Sequence, residues 1–178
     1  MNNSFLSQIN TSWSLFLDRD GVINKRIIDG YVRKVEEMIL LPQVQEAFHI
    51  FQAKFKHIFI VTNQQGIGKG LMTEQDLQQV HDSMLQQIGV PITRIYYSPF
   101  LAKENNIMRK PQIGMALQAK QDYPDVDFNH AVMVGDSESD MQFGINSGMH
   151  TVFICSDIAA DLGEMQCESL YHFASMLP

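Results

Sequence analysis

Trp13-Ser14-Leu15-Phe16-Leu17-Asp18-Arg19-Asp20-Gly21 carries a strand-length apolar run straight into two carboxylates and a glycine. The same pattern returns at Ala131-Val132-Met133-Val134-Gly135-Asp136, with Asp140 one helical turn further on. Five such apolar runs recur: Trp13 to Leu17, Ile58 to Thr62, Arg94 to Ser98, Ala131 to Gly135 and Thr151 to Cys155. None alternates cleanly with polar residues, which is the pattern expected where helices cover both faces of a parallel sheet.

The intervening segments have helical period. Pro42 suits a first helical residue, with Val44, Ala47, Phe48, Phe51 and Phe55 on one stripe behind it. Thr73 is placed to cap the next helix, with Asp76 three residues on and Leu77, Val80, Met84 and Ile88 on its buried face; Gly89 ends it. A third helix is expected from Ile113 to about Tyr123, stopped by Pro124, and a fourth from Ser137 to near Gly148. Alternating strands and helices predict an open, doubly wound, Rossmann-like parallel α/β sheet of about five strands with helices on both faces. One domain over residues 1–178 is expected. The long connections Lys25 to Leu41 and Leu101 to Ile107 both leave the strand ends, where ligands bind in such sheets.

Charge and composition narrow the partners. Of 178 residues, 20 are acidic and 13 basic, a net charge of −7, so the overall field repels nucleic acid and anionic membranes; neither is an expected partner. A small anionic substrate must be met by locally placed cations. Cys155 and Cys167 have no zinc-type spacing and are expected to be free thiols in a reducing compartment. Met1-Asn2-Asn3-Ser4 lacks the positive start of a secretion signal, and no apolar run approaches the ~20 residues of a membrane helix, which points to the cytoplasm.

In a parallel sheet the ends of the first and fourth runs share one edge, so Asp18, Asp20, Asp136 and Asp140 converge there. Carboxylates that close raise one another's pKa values unless a cation neutralises them, and Mg²⁺ fits because it prefers oxygen ligands and shares its shell with phosphate. Asp-Gly after a strand is also an ordinary turn; two acidic pairs at two strand ends argue for more than that. Thr62, followed by Asn63-Gln64-Gln65-Gly66, offers a hydroxyl and backbone N–H groups to an anion. Arg109-Lys110-Pro111 supplies cations just before the third helix, and a lysine there can serve as a point charge on a phosphoryl group.

The order Asp-x-Asp, Thr, Lys, Gly-Asp-x-x-x-Asp resembles the four motifs of the haloacid dehalogenase superfamily of phosphatases, over almost the whole chain. Leu17-Asp18-Arg19-Asp20-Gly21-Val22-Ile23-Asn24, Val61-Thr62-Asn63-Gln64-Gln65-Gly66-Ile67, Arg109-Lys110-Pro111 and Val134-Gly135-Asp136-Ser137-Glu138-Ser139-Asp140-Met141 are similar to a narrower branch, the heptose bisphosphate and histidinol phosphatases. The resemblance implies a phosphomonoester hydrolase with Asp18 as nucleophile and Asp20 as acid and base. It implies Mg²⁺ held by the Asp18 carboxylate, the Asp20 carbonyl and the Asp136 carboxylate, with Thr62 and Lys110 on the phosphoryl oxygens. Asp140 either positions Lys110 or a metal-bound water, or binds the metal itself.

About 40 residues separate Asp20 from Thr62, too few for a large cap domain, so loops must select the substrate. By the same resemblance Gly30-Tyr31-Val32, Asn63 and Gln64 line the entrance and Arg109 meets the distal part of a sugar phosphate such as D-glycero-D-manno-heptose 1,7-bisphosphate. Histidinol phosphate is the nearest rival substrate. Where many members carry zinc-binding cysteines and a histidine, this chain has Ser98, Phe100, Asn106 and Met108, so no structural zinc is expected. Packing of Phe100, Leu101, Ile107 and Met108 is expected to hold that loop instead. A phospho-receiver or inactive binding module would share clustered acids with Thr and Lys, but Tyr96-Tyr97-Ser98 lacks the acceptor aspartate a receiver carries near its third strand. A monomer or weak homo-oligomer is expected.

Overall fold

The structure is a computed structural model and describes residues 5–155 and 162–178; Met1-Asn2-Asn3-Ser4, read above for targeting, lies outside them. Six parallel strands, β1 (Ser14–Leu17), β2 (His57–Asn63), β3 (Arg94–Ser98), β4 (Ala131–Gly135), β5 (His150–Ile154) and β6 (Met165–Cys167), form one sheet in the order β3-β2-β1-β4-β5-β6. Five were expected. β6 escapes the sequence pattern because Met165-Gln166-Cys167 is only three residues long, and it pairs at the sheet edge with β5.

Each inner strand sends alternate side chains to opposite faces, and each face finds its own helices. Leu15, Leu17, Ile58, Ile60, Val132 and Val134 pack with α1 (Val44–Lys54), α2 (Glu74–Ile88) and α5 (Leu170–Ser175). Phe16, Phe59, Val61 and Met133 pack on the other side with α3 (Gly114–Asp122) and α4 (Glu138–Ser147). Burying a side chain of this size contributes roughly 1.5–3 kcal/mol, which is why the central strands read as unbroken apolar runs.

The helix boundaries follow local chemistry. Thr73 accepts from the Asp76 N–H while the Asp76 carboxylate accepts from the Thr73 N–H, closing a capping box, and Gly89 ends α2 at φ +76°. α1 starts later than Pro42 implies: Gln43 turns left-handed at φ +58°, and the helix opens at Val44.

The strand order reverses between β1 and β4. Neighbouring strands there lead their connections to opposite faces, leaving a crevice at their carboxyl ends. Asp18 follows β1 and Asp136 follows β4 at that crevice; the Asp18 N–H still donates to Val134 O at 2.9 Å. Lys25 to Leu41 leaves and returns as a paired neck, with Lys25 N–H to Ile39 O and Leu41 N–H to Ile23 O each at 2.9 Å. Its far end hangs over the crevice. Among the described residues no separate cap domain covers this edge, and no helix is long and apolar enough to cross a membrane.

Candidate active site

At the floor of the crevice Lys110 is buried to 3% exposure between two carboxylates. Its Nζ lies 2.6 Å from Asp18 Oδ1 and 2.5 Å from Asp140 Oδ1, and it donates to Val61 O at 2.7 Å. The backbone of Lys110 is clamped by Asn63, whose Oδ1 accepts from its N–H at 3.0 Å and whose Nδ2 donates to its carbonyl at 3.1 Å. Asp140 is fixed in turn at the start of α4, where its Oδ2 accepts from the Ser137 N–H and hydroxyl. Burial works against the charged form of Lys110, but Asp140 and Asp18 hold its pKa above the ordinary value.

Asp20 is held quite differently. Arg19, itself fully buried, donates Nη2 to both Asp20 oxygens, at 3.1 and 2.9 Å, while Asn24 adds a bond to Oδ1 and Gln64 one to Oδ2. Burial works against ionisation here, yet Arg19, then Asn24 and Gln64, bring the carboxyl below its usual range. The other end of the guanidinium reaches His81 on α2, Nη1 to Nε2 at 3.1 Å. Arginine only donates, so His81 Nε2 accepts and the ring is neutral; burial, with Arg19 adding, depresses its pKa to about 3.

The remaining carboxylates are the costly ones. Burial pushes Asp18 up to about 7 against the pull of Lys110, with Asp140, Asp136 and Asp20 adding to the rise. Burial likewise raises Asp136 to about 6, although Arg26 opposes it. Asp18, Asp136 and Asp140 each present an oxygen within 4.8 Å of the others. Such a donor set fits a hard divalent cation, whose charge would relieve the cost of ionising these buried acids. The backbone leaves room for one: Gly21 stands at φ +100°, and a Cβ there would overlap Asp136 Oδ2. The residues present therefore fit magnesium.

Above this floor the crevice is walled by Arg26, Gly30, Tyr31, Thr62, Asn63, Gln65, Lys69 and Arg109. Tyr31 packs over Gly66, and Lys69 Nζ lies 5.3 Å from the centre of its ring. Thus Asp18, Asp20, Thr62, Lys110 and Asp140 share one crevice with Gly30, Tyr31, Asn63 and Arg109. Gln64, expected at the entrance, is instead buried at 1% exposure and turned to Asp20 and Thr62, while Gln65 lines the wall.

The loop after β3 is held by hydrogen bonds as well as by part of the packing expected. Arg109 Nη1 donates to Phe100 O, Leu101 N–H to Glu104, Gly68 N–H to Pro99 O and Gly114 N–H to Ile107 O. Ile107 stands 57% exposed, though Met108 does pack against the core. Arg19, Arg26, Lys69 and His81 belong to the site without a sequence pattern that predicts their roles. The only signal for Arg19 was its position between two acids; none marks the other three.

Comparison with known proteins agrees with this architecture. Residues 17–161 match the family described as polynucleotide kinase 3 phosphatase. D-glycero-alpha-D-manno-heptose-1,7-bisphosphate 7-phosphatase of Campylobacter jejuni is 38% identical over 147 residues, covering 81% of this chain and 83% of the relative. The Mycobacterium bovis protein of the same description is 33% identical over 170 residues, covering 91% and 90%. The crystal structure of D,D-heptose 1.7-bisphosphate phosphatase from B. bronchiseptica, complexed with magnesium and phosphate, superposes with a TM-score of 0.82 at 30% identity, covering 92% of this chain and 96% of that one. The chain belongs to the polynucleotide kinase 3 phosphatase family, in the heptose bisphosphate phosphatase branch of the haloacid dehalogenase superfamily.

Proposed function

We propose that this protein hydrolyses the 7-phosphate of D-glycero-D-manno-heptose 1,7-bisphosphate or a close sugar phosphate, with magnesium as cofactor and Asp18 as nucleophile. The observation that carries the reading is Lys110 Nζ between Asp18 and Asp140 at the reversal point of the sheet, beneath a wall bearing Arg26, Lys69 and Arg109. The substrate is supported by the relatives' activity and by the Gly30-Tyr31 loop over the crevice.

An Asp18 carboxylate oxygen bonds to phosphorus as the bond from phosphorus to the ester oxygen breaks, and the departing oxygen takes a proton from Asp20. Water then attacks phosphorus, passing a proton to the Asp20 carboxylate, as the bond from phosphorus to the Asp18 oxygen breaks, which releases inorganic phosphate and restores the Asp18 carboxylate. In the resting site Arg19, Asn24 and Gln64 keep Asp20 ionised, so acting as acid requires it to release one of these donors and accept a proton. Thr62 and Lys110 hold the transferring oxygens. The Asp18 and Asp136 carboxylates and the Asp20 carbonyl would hold magnesium, which supplies positive charge to offset repulsion between nucleophile and phosphate. The grip of Asp140 on Lys110 and Ser137 supports a positioning role for it. On this reading the protein is a single-domain cytoplasmic enzyme, monomeric or weakly self-associating.

Two measurements test the reading. Asp18→Asn should fold normally and lose magnesium-dependent turnover; substantial residual hydrolysis by the folded variant sinks the nucleophile assignment. A comparison of kcat/KM for the heptose bisphosphate, histidinol phosphate and a 3′-phosphorylated oligonucleotide should favour the sugar. Preference for the oligonucleotide overturns the substrate assignment and leaves the chemistry standing.

A further inference from the structure

Arg26 has no part in the steps above, yet it touches the centre of the site. Its side chain is 47% exposed and springs from the loop after β1. Nη2 donates to Asp136 Oδ1 at 2.8 Å, and Nε donates to the backbone carbonyl of Asp20 at 3.2 Å. These oxygens belong to different strand ends, and both are among the three groups assigned above to magnesium. An arginine pairing with a neighbouring acid would leave the carbonyl alone; this one spans the two groups. A guanidinium and a divalent cation drawn to the same groups repel each other, and that repulsion is strong in a partly buried site.

We propose that Arg26 is a positioning residue that occupies the magnesium seat in the metal-free protein, holding Asp136 and the Asp20 carbonyl in place, and that it is displaced when the ion binds. The inference rests on the ligand assignment made under the proposed function. Two consequences follow from the geometry. The ligands stay converged without metal, since the guanidinium offsets the charge of Asp136. Apparent metal affinity is the intrinsic affinity multiplied by the fraction of time Arg26 leaves the seat vacant.

Calorimetric titration of metal-stripped protein with Mg²⁺ tests this with no reference to turnover. Arg26→Met should bind Mg²⁺ roughly fivefold more tightly than the unmodified protein, the factor an ion pair this exposed imposes on a competitor. Lys25→Met removes the adjacent exposed charge and should leave the affinity unchanged; equal tightening in both variants reduces the effect to bulk charge and overturns the proposal. Unchanged or weaker binding by Arg26→Met, with binding lost in Asp136→Asn, also overturns it and leaves the ligand assignment intact. Unchanged binding by Asp136→Asn sinks that assignment and the proposal together. Independently, the Arg26 Nε–H resonance, identified by its loss in Arg26→Lys, should move when Mg²⁺ is added. If it stays fixed at saturating Mg²⁺, Arg26 is not displaced.

Discussion

Lowering the pH to about 5 should destabilise this protein through His81, a residue that never meets substrate. The ring is 4% exposed, it accepts a hydrogen bond from Arg19, and protonation would set a second cation against that guanidinium. Its pKa falls from 6.5 to about 3 on folding, with burial the largest cause. Above pH 6.5 neither state binds the proton and His81 leaves stability unchanged. Below it the unfolded chain takes up a proton the folded protein refuses, so stability is lost progressively as the pH drops toward 3. At pH 5, one and a half units below the unfolded value, the loss is about 2 kcal/mol at ~1.36 kcal/mol per unit. Asp18 and Asp136 act in the opposite sense: their raised carboxyls protonate first in the folded state, so stability rises as pH falls through about 7 and 6. Comparison with His81→Gln, which can still accept from Arg19 but cannot titrate, cancels those contributions. Urea denaturation in EDTA at pH 7.5 and 5 should show the unmodified protein losing about 2 kcal/mol more than the variant. Equal losses would refute the account of His81 as a neutral, buried acceptor.

Two substitutions probe the floor of the site. Lys110→Met leaves Asp18 and Asp140 buried without their shared cation and should cost about 3–5 kcal/mol in metal-free protein, read from the denaturation midpoint; an unchanged midpoint would mean these acids are not both ionised. Gly21→Ala forces a side chain into φ +100° and against Asp136, costing at least ~1–2 kcal/mol in backbone strain and abolishing Mg²⁺ binding by calorimetry. A variant that binds Mg²⁺ normally would show that Asp136 is not held where the ion goes.

The parts of the fold that were legible are those where periodicity alone decides. Arg94–Ser98 and Ala131–Gly135 coincide with the apolar runs, and Thr73 and Gly89 mark α2 because a cap and a left-handed glycine have local signatures. β6 and α5, of three and six residues, are too short to carry a period. In the site, carboxylates directly after strands were legible because a parallel sheet fixes where strand ends lie. The direction of side chains beyond those ends was not. Gln64 turns inward to Asp20 and Thr62 where Gln65 faces the crevice, and Arg19 runs under Asp20 to His81 on α2, choices made by partners distant in sequence. Arg26 meets Asp136 from 110 residues away, a contact no local pattern encodes.

The same pairings explain how an acidic chain can receive an anionic substrate. Each buried carboxylate has a specific partner: Asp18 and Asp140 share Lys110, Asp20 has Arg19, and Asp136 has Arg26. Four carboxylates against three cations leave the cluster with one formal negative charge, which disfavours a phosphate dianion. A divalent cation removes that charge, leaving the cluster neutral once Arg26 has swung aside and with one positive charge while Arg26 stays. On the proposed reading, the repulsion of phosphate is therefore relieved by metal rather than by the protein's own charges. The outer cations Lys69 and Arg109 can then draw a phosphorylated sugar to the crevice without committing it to the nucleophile until the ion is in place.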